Sequence, residues 1–536
     1  SGLDIKHAAT LNADITTAGD QSFGGAVTIT PAAANLTANS GNILFSGAIN
    51  AGPADASGSV VNLDAQDGDV QLDGNVTAEA LNVTASGDLT MAGDADAVSM
   101  TADVGGGASS ISGALTLANG LTKDGSGALT LTADNTGTAT ADVLGGSLQL
   151  GDGGSTGGLG GGAISLHEET SLSINRTGNL TLAADILAAG SDGNGNTVGG
   201  SVTKFGSGVL TLTGSNTYTE GTNVAGGVVK VGSTTALSTG RVDVSAGSQL
   251  DLNDYDISNA LTLAGGGVDT NDDGTVDNAG ALRNSTGSAT VSGNVAMDPD
   301  AVIQADGAIT LDGDFALGQA DTVAITPENP NPAVPSQSAT NQTFTLAGAG
   351  DITVNGAITL PRNTIINSSG GDRTFNGTID EFEADSAVEV AAPSTSALTF
   401  KNTSGTVKLA GDLGGSKRLD ALTVEGAAQL GGGNGAVAIN LEGAADFDNT
   451  VDLAQNTIID TAAGTITFDG VVSSNTNEHL SLVTSQGVTQ NAAIKVGGLA
   501  LDGATSFTLD NPANEIGILA AGASGKRIGA LTVVST

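Results

Sequence analysis

Cysteine is absent from all 536 residues, so the fold cannot depend on disulfide bonds. Tryptophan is absent as well, and aromatic residues make up only 2% of the chain. Aromatic side chains usually supply much of the apolar area of a globular core. Stability must therefore come from small aliphatic side chains, from backbone hydrogen-bond ladders or from bound ions.

Positive charge is scarce, since 16 Lys and Arg stand against 57 Asp and Glu, a formal net charge of -41 at pH 7. A nucleic-acid-binding surface needs clustered Lys and Arg, so that function is excluded as the main one. The same negative charge disfavours adhesion to anionic lipid headgroups. No stretch of 18 or more apolar residues occurs, so no transmembrane helix is predicted.

Glycine is abundant, with 81 residues, and so are short segments of alternating apolar and polar residues. Residues 26–30 read AVTIT, residues 128–132 read ALTLT and residues 209–213 read VLTLT. A period of two predicts strands with one buried face. The segments end at Gly, Asn or Asp, which favour turns. A disordered chain of similar composition would lack this patterning.

A unit of the form Gly-x-Ile/Val-x-apolar-x-Gly-x-apolar recurs along the whole chain. It occurs within residues 40–49, 67–76, 306–315, 349–358 and 463–472. Such repeats predict a stack of similar coils, in which each coil buries its apolar face against its neighbours. We predict an all-β fold, a right-handed parallel β-helix that forms one continuous β-solenoid over residues 1–536. With roughly 20 to 25 residues per turn, it would have about 22 to 27 turns and form an elongated rod roughly 105 to 130 Å long.

Three segments interrupt the pattern and are predicted to be loop excursions from the coil. Residues 153–162 (GGSTGGLGGG) and 188–200 (AAGSDGNGNTVGG) are rich in glycine. Residues 327–336 contain four of the ten prolines, which cannot donate to a strand ladder. Because loops carry binding functions more often than strands do, we predict that these segments contact partners.

Two similar longer sequences begin 81 residues apart and share the glycines, the LTLT core and the Asn-Thr pair at the same offsets. Residues 123–152 read KDGSGALTLTADNTGTATADVLGGSLQLGD, and residues 204–233 read KFGSGVLTLTGSNTYTEGTNVAGGVVKVGS. The second closely resembles the repeat of autotransporter passenger domains, and the first resembles it more loosely. The shorter glycine-bounded units, together with residues 15–30, look like repeats of filamentous-haemagglutinin-like adhesins of the two-partner secretion route.

Both families are bacterial, and the resemblance implies a parallel β-helix that is exported unfolded and folds at the cell surface. It implies that the chain is a fragment or a mature segment of a longer surface protein, secreted or held at the bacterial cell surface. The implied function is a non-catalytic, extracellular structural or adhesive one. Its partners would be other cells, extracellular surfaces or glycans.

Residues 269–278 (DTNDDGTVDN) hold the best candidate for a metal site. Oxygen ligands on alternate residues around a glycine turn suit Ca2+. The candidate ligands are Asp269, Asn271, Asp273, Thr275 and Asp277. The glutamate that would complete an EF-hand loop is replaced by Gly280. A solvated acidic turn is the favoured interpretation and a calcium-binding turn is the alternative; no other cofactor is predicted.

Clustered carboxylates could also indicate the paired acids of a glycosidase. The candidates are Asp380, Glu381, Glu383 and Asp385, and the triplet Asp251, Asp254 and Asp256. Only two tyrosines could stack on a sugar, and both Tyr218 and Tyr255 are predicted at the rim or in turns. Solvated acidic loops are therefore the favoured interpretation. The histidines His7, His167 and His479 lie too far apart along a solenoid for a zinc site or a catalytic triad.

The sequence therefore predicts a protein that is not an enzyme. We expect a rod-like surface or fibre segment that presents loops for contact. Head-to-tail association into filaments is also expected, because the ends of a β-helix expose unpaired backbone groups. Two alternatives stay open: a calcium-dependent extracellular matrix or surface-layer filament protein, and a polysaccharide lyase or hydrolase on a β-helix.

Overall fold

The computed structural model describes residues 1–30, 34–52, 58–106, 108–135, 137, 139–269, 279–317, 342–360, 363–381, 396–433, 435–503, 507–522 and 531–534. Over these ranges the regular structure consists of strands without a helix, so none of them contains a helix long and apolar enough to cross a membrane. Parallel strands stack into a β-solenoid of about 22 turns. The predicted all-β solenoid fold is confirmed. The chain divides into two compact units, Ser1–Asp243 and Val244–Thr536.

In unit 1 the strands form parallel ladders along the faces of the coil. The first ladder contains β1 (Leu3–Ile5), β4 (Gln21–Phe23), β7 (Ile43–Phe45), β10 (Val70–Leu72), β12 (Leu89–Met91), β14 (Ala108–Ile111), β16 (Ala128–Leu131), β18 (Ser147–Leu150), β20 (Ser171–Asn175), β25 (Ser201–Phe205) and β27 (Thr222–Val224). The second contains β2 (Ala9–Leu11), β5 (Val27–Ile29), β8 (Ile49–Asn50) and the first part of β11 (Val76–Ala85), β13 (Ala95–Val104) and β15 (Leu115–Asp124).

The strands β11, β13 and β15 are long enough to span two faces, and the second part of each belongs to the third ladder of unit 1. Its other strands are β3 (Ile15–Thr17), β6 (Ala34–Ala38), β9 (Val60–Ala65), β17 (Thr140–Val143), β19 (Ile164–Leu166) and β22 (Ile186–Ala188). A shorter ladder contains β21 (Leu180–Leu182), β26 (Val209–Leu212) and β28 (Gly227–Val231). The pair β23 (Gly190–Ser191) and β24 (Thr197–Val198) is antiparallel, and β29 (Val242–Val244) lies at the limit of the unit.

Unit 2 also has three long ladders. One contains β30 (Ser248–Asp251), β32 (Leu282–Asn284), β35 (Val302–Ala305), β38 (Gln342–Ala347), β41 (Thr364–Ser368), β44 (Leu398–Asn402), β46 (Leu422–Val424), β49 (Ala445–Phe447), β52 (Ile466–Phe468) and β55 (Val488–Gln490). Another contains β33 (Ser288–Val291), β36 (Ala308–Leu311), β39 (Ile352–Val354), β42 (Arg373–Phe375), β45 (Thr406–Leu409), β47 (Ala427–Leu430), β50 (Val451–Leu453) and β53 (Val472–Ser474).

The last ladder of unit 2 begins with β31 (Leu261–Leu263), β34 (Val295–Met297), β37 (Phe315–Leu317), β40 (Ile358–Leu360) and β43 (Ile379–Glu381). Single bridges through Leu413 connect it to β48 (Val437–Leu441), β51 (Thr457–Thr461), β54 (His479–Thr484), β56 (Ile494–Asp502) and β58 (Glu515–Ala521). The strands β57 (Phe507–Leu509) and β59 (Leu531–Val533) pair with each other.

Successive turns stack in register, so each inward residue contacts its equivalents in the turns before and after it. Phe23 and Phe45 are ladder partners, and their rings stack with centroids 4.5 Å apart. Phe447 and Phe468 repeat this arrangement in unit 2 at 5.4 Å. Nine of the ten phenylalanines in the described ranges are buried. The few aromatic residues are therefore concentrated in the interior, where small aliphatic residues supply the rest of the packing.

Asp and Asn side chains fasten the corners between strands by accepting a backbone N–H from the adjacent turn. In one column, Asn42 N donates to Asp20 Oδ1 at 2.9 Å and Asp69 N donates to Asn42 Oδ1 at 2.8 Å. Asp88 N then donates to Asp69 Oδ1 at 2.8 Å. A carboxylate that accepts backbone N–H bonds stabilises a turn. Part of the large negative charge thus serves the stacking of the coil.

Candidate functional site

The first copy of the long repeat builds a corner around a buried ammonium group. Lys123 occupies an inward position of β15, and its side chain is fully buried. Its Nζ donates to the backbone oxygens of Asp124 (2.7 Å), Gly125 (2.8 Å) and Gly145 (3.0 Å). Three donors therefore meet three carbonyls from two successive turns, which satisfies the charge without water.

The second copy builds the same corner around Lys204, which is 1% exposed. Its Nζ donates to the backbone oxygens of Phe205, of Gly206 (2.7 Å) and of Gly226 (3.2 Å). These acceptors lie at the same offsets from the lysine as in the first copy. The two copies of the repeat thus form the same hydrogen-bond arrangement around a buried lysine.

Glycines at equivalent positions of the two copies take the same backbone conformation. Gly125 and Gly206 have φ values of 74° and 67°, and Gly146 and Gly227 have φ values of 64° and 63°. Only glycine adopts this left-handed conformation without steric cost. The glycines that recur in the sequence therefore shape the turn that brings the carbonyls to the ammonium group.

The asparagine of the repeated Asn-Thr pair links three turns in both copies. Asn135 Oδ1 accepts from Leu115 N at 2.7 Å, and its Nδ2 donates to Gly158 O at 3.0 Å. Its equivalent, Asn216, accepts at 2.8 Å from a backbone N–H of the preceding turn and donates at 2.6 Å to a carbonyl of the following turn. Both amide functions are thus used between turns rather than for a ligand.

The two lysine corners lie on different ladders. Lys123 pairs with Ala102 and Val143 on the third ladder of unit 1. Lys204 pairs with Ile174 and Val224 on the first ladder, which also contains the β16 and β18 strands of the first copy. The repeat therefore forms the same corner structure at two different edges of the coil.

Sequence reasoning did not assign a role to these lysines, although a signal for them existed. In both copies the lysine stands two residues after a buried apolar residue, Leu121 or Val202, at the next inward position of an alternating strand. A charged residue at an inward position, followed by a glycine turn, indicates a buried cation that carbonyls satisfy. The sequence predicts Tyr218 at the rim or in a turn. It lies outside the strands, but the rim position is wrong, because its side chain is fully buried and its hydroxyl lies 2.6 Å from Thr222 Oγ1.

Residues 188–200 leave the coil as the antiparallel pair β23 and β24. The coil itself continues without interruption, since β20 pairs directly with β25. At the exposed tip, Asp192 Oδ1 accepts from the backbone N–H groups of Asn194 (2.8 Å) and Asn196 (3.1 Å), and its Oδ2 accepts from Asn196 Nδ2 (2.7 Å). These hydrogen bonds lower the pKa of the Asp192 carboxyl. The tip therefore presents a charged, preformed polar surface.

Residues 153–162 are held against the coil by one arginine. Residues 153–156 are exposed, whereas Gly157 and Gly158 are buried. The side chain of Arg176 is 7% exposed, and it donates to Gly157 O (2.7 Å), to Ser155 O (2.8 Å) and to Asp134 Oδ1 (3.1 Å). Contact with a partner through this loop stays a prediction, and its exposed residues are 153–156 and Gly161.

Replacing Arg176 by Met is expected to free this loop. The substitution removes the donor of the buried Gly157 carbonyl and of the part-buried Ser155 carbonyl, which corresponds to about 2 kcal/mol of local stability. Hydrogen exchange of residues 151–160 should accelerate accordingly. The control is Arg241→Met, since Arg241 is 53% exposed and forms a surface ion pair with Asp243 that is worth about 0.5 kcal/mol. Unchanged exchange in the Arg176 variant would contradict the role of this arginine.

The third predicted contact loop and most of the predicted calcium turn lie outside the described residues. These are residues 327–336 and, in the calcium turn, Asn271, Asp273, Thr275 and Asp277. Asp269 is described and is half-buried. Among the described residues there is no group of three or more His, Asp or Glu side chains that could hold a metal ion. Calcium binding therefore stays a prediction.

The first acidic cluster is split between the faces of a strand. Asp380 and Glu381 are neighbours on β43, so their side chains leave on opposite sides. Asp380 Oδ1 accepts from Ser416 N at 3.0 Å, and Glu381 is buried and forms an ion pair with Lys417 at 2.9 Å. The expected solvated loop is wrong for Glu381, because the following turn covers it. Glu383 and Asp385 lie outside the described residues.

The second acidic cluster fastens one turn to the next. Asp251 Oδ1 accepts from Ser285 N at 3.1 Å. Asp254 Oδ1 and Asp256 Oδ1 accept at 2.7 Å each from the backbone N–H groups of the same following turn, at Ser288 and Thr290. All three carboxylates thus have a structural partner 34 residues further along the chain. They resemble the corner carboxylates of unit 1 more than the paired acids of a glycosidase.

On the outer face of unit 2, the carboxylates of Asp446, Asp448 and Asp469 lie close enough to repel one another. Burial, followed by the charges of Asp448 and Asp469, raises the pKa of Asp446. Burial, followed by the charges of Asp469 and Glu425, raises the pKa of Asp448. Asn491 Nδ2 donates to Asp469 Oδ1 at 2.6 Å and relieves one end of the column. Like charges that face each other across adjacent turns are destabilising, as they are across adjacent strands. This column of carboxylates therefore adds negative potential at a cost in stability.

The histidines have separate surroundings. His167 Nε2 lies 3.1 Å from Asp142 Oδ1 in unit 1, and His7 is exposed in the same unit. His479 begins β54 in unit 2, and its backbone N–H donates to Asn456 Oδ1 at 2.9 Å. Each histidine therefore lies in a different turn, as a solenoid requires of residues so far apart in sequence.

Comparison with protein families finds a match for both copies of the long repeat. Residues 121–150 and 202–231 match the model of the passenger-associated-transport-repeat. The matched segments contain both lysine corners and both linking asparagines. Comparison with curated proteins and with solved structures gives no significant match. The resemblance of the shorter units to filamentous-haemagglutinin-like repeats stays a prediction.

Proposed function

We propose that this chain, whose two transport repeats and parallel solenoid support an autotransporter passenger β-helix, is a non-catalytic adhesin segment. Such a passenger is secreted or displayed at the bacterial surface. The coil serves as a spacer, and the segments that leave it serve as contact surfaces for other cells, extracellular surfaces or glycans. The match of both repeats within an uninterrupted parallel coil is the observation that carries the proposal.

The hairpin β23–β24 is the best-supported contact surface. It leaves the coil next to the second repeat without disturbing the ladders on either side. Gly193 and Gly195 have positive φ values and nothing within 4 Å of a virtual Cβ, so the tip stands clear of the coil. Its carboxylate and amide groups suit hydrogen bonding to a polar partner such as a glycan. A preformed tip loses little entropy when it binds.

The contact proposal can be tested by shortening the hairpin. Residues 192–196 are replaced by Asn-Gly, which closes a two-residue hairpin turn, and the purified chain is tested for binding to cultured cells and glycan arrays. We expect binding to fall at least about fivefold while the circular dichroism of the β-structure is unchanged. The control is Thr90→Ala, at an outward position of β12. Equal binding of the shortened and original chains would refute the role of the hairpin.

The same preparations discriminate the other functions. Release of unsaturated or reducing ends from polysaccharides would replace the adhesin proposal by an enzyme. Assembly that needs Ca2+ and is reversed by chelation would favour a matrix or surface-layer protein. Each of these readouts differs from binding to cells or glycans, so each is distinguishable from adhesion.

We also propose self-association between copies through β58. Ile518 and Leu519 of this strand are 62% and 43% exposed, although the ladder partner of Leu519 in the preceding turn, Leu499, is 1% exposed. A second copy that stacks on this strand would bury the apolar surface and extend the ladder. Light scattering should show concentration-dependent assembly that Leu519→Asp weakens. A monomer at all concentrations would refute it.

A further inference from the structure

The two buried ammonium groups differ in the charges around them. In the first copy Lys123 is followed by Asp124, whose ladder partner on β13 is Asp103. Both carboxylates act on the ammonium group and oppose the lowering of the Lys123 pKa by burial. The strands that follow the corner, β16 and β18, carry no titratable side chain, and β17 carries only Asp142. The charge of Lys123 in the first corner is thus compensated by two carboxylates.

In the second copy both carboxylates are replaced. Phe205 stands at the position of Asp124, and its ladder partner on β20 is Asn175 instead of an aspartate. The strands β20, β26 and β27 carry no titratable side chain. The charged groups on the neighbouring elements are cations: Arg176 follows β20, and Lys230 lies on β28. Lys204 is therefore held by carbonyl dipoles without a compensating carboxylate.

We infer that the two lysine corners differ in stability, and that unit 1 unfolds locally at the second transport repeat before it does so at the first. A buried cation is stable only to the extent that dipoles and opposite charges replace its hydration. Both corners have the three carbonyls, but only the first has the opposite charges. The second repeat is thus the site from which this unit unfolds under stress, and the first is its more stable part. This inference does not depend on the adhesin proposal.

The equilibrium for local opening of the Lys204 corner depends on pH. Burial lowers the pKa of Lys204 from 10.5 to about 8. Between these values the opened state keeps a proton that the closed state has lost, so closing becomes more favourable as the pH rises. For one such group, the opening equilibrium should fall about twentyfold between pH 7.5 and 9.5. Below pH 8 Lys204 is charged in both the closed and the opened state, so burial of its charge destabilises the closed state fully.

The absence of cysteine provides a direct experiment. Leu131 and Leu212 are equivalent inward residues of the two copies, and both are fully buried. In Leu131→Cys and Leu212→Cys variants of the full chain, the rate of thiol labelling relative to a model thiol measures local opening. At pH 7.5 we expect labelling at residue 212 to be about tenfold faster than at residue 131. Equal rates, or a faster rate at residue 131, would overturn the inference.

A charge substitution then separates compensation from other differences between the copies. In the Leu212→Cys background, Phe205→Asp introduces the missing carboxylate, and Phe205→Asn introduces a side chain of similar shape without charge. Because Phe205 is 41% exposed, both variants should fold. Phe205→Asp is expected to slow labelling several-fold at pH 7.5 and to reduce its pH dependence, whereas Phe205→Asn leaves both unchanged. Similar effects of the two variants, or none, would refute compensation by charge.

Discussion

Replacement of Arg373 by Met is expected to lower the free energy of local unfolding in unit 2 by about 4 kcal/mol. Arg373 begins β42, and its side chain is fully buried. Its guanidinium donates to five backbone oxygens: Leu346 (3.1 Å), Gly350 (2.9 Å), Asp372 (3.1 Å), Gly348 (3.0 Å) and Ser369 (2.6 Å). Methionine fills part of the space but removes all five hydrogen bonds. The carbonyls of Leu346, Gly348 and Asp372 keep a backbone N–H donor. Those of Gly350 and Ser369 lose their side-chain donor. Hydrogen exchange of residues 342–381, measured as a function of urea, reports the loss.

Two further variants show whether the hydrogen bonds cause the effect. Arg373→Lys keeps the charge but offers fewer donors in a different geometry, so we expect about half of the loss. Arg283→Met is the matched control on β32, since Arg283 is 35% exposed and pairs with Asp306 at 2.6 Å. A surface pair of this kind is worth about 0.5 kcal/mol. Equal losses for Arg373→Met and Arg283→Met would show that the buried carbonyl bonds contribute little.

Phe45→Ala is expected to cost about 4 kcal/mol of local stability in unit 1, since large-to-small substitutions of buried phenylalanine leave a cavity. Phe45 is fully buried on β7, and its ring stacks 4.5 Å from that of Phe23 at an interplanar angle of 8°. In a solenoid each interior layer is closed only by the layers next to it. The cavity therefore affects the turn before and the turn after. Exchange rates of β4, β7 and β10 should all rise, and those of β25 and β27 should not.

Phe205→Ala is the matched control for this prediction. Phe205 is 41% exposed on the outer side of β25, so its removal should change stability by about 0.5 kcal/mol or less. If both alanine variants behave alike, then the aromatic stacks do not hold the interior together. Aliphatic packing and the backbone ladders would then account for the stability of the unit.

The fold class follows from local features of the sequence. Alternation such as that of residues 27–29, where Val27 and Ile29 are buried on either side of an exposed threonine, predicts the strands. Glycines between the strands predict the corners, and the recurrence of similar units predicts their stacking. These features act within a few residues, so a single sequence is enough to recognise them.

The contents of the corners could be predicted less well. The sequence favoured a solvated position for Glu381 and a rim or turn position for Tyr218, and both side chains are buried. The inward positions of the repeated lysines could be seen in the alternation, but the carbonyls of the following turn that accept from them could not. Burial at a corner depends on the turn that covers it, and this turn comes about 20 or more residues later in the chain.

Patterning by itself determined that the chain is a parallel β-solenoid and that it contains two copies of a longer repeat, which match the passenger-associated-transport-repeat. Only the tertiary structure decided which charged groups lie inside the coil and which carboxylates meet a backbone N–H of the next turn. The physical reason is register. A turn advances 18 residues from Leu3 to Gln21 but 30 residues from Ser171 to Ser201, because loops of different length leave the coil. The residues of a neighbouring turn that accept from Lys204 or Arg373 are therefore set by the stacking of the whole coil and not by local sequence.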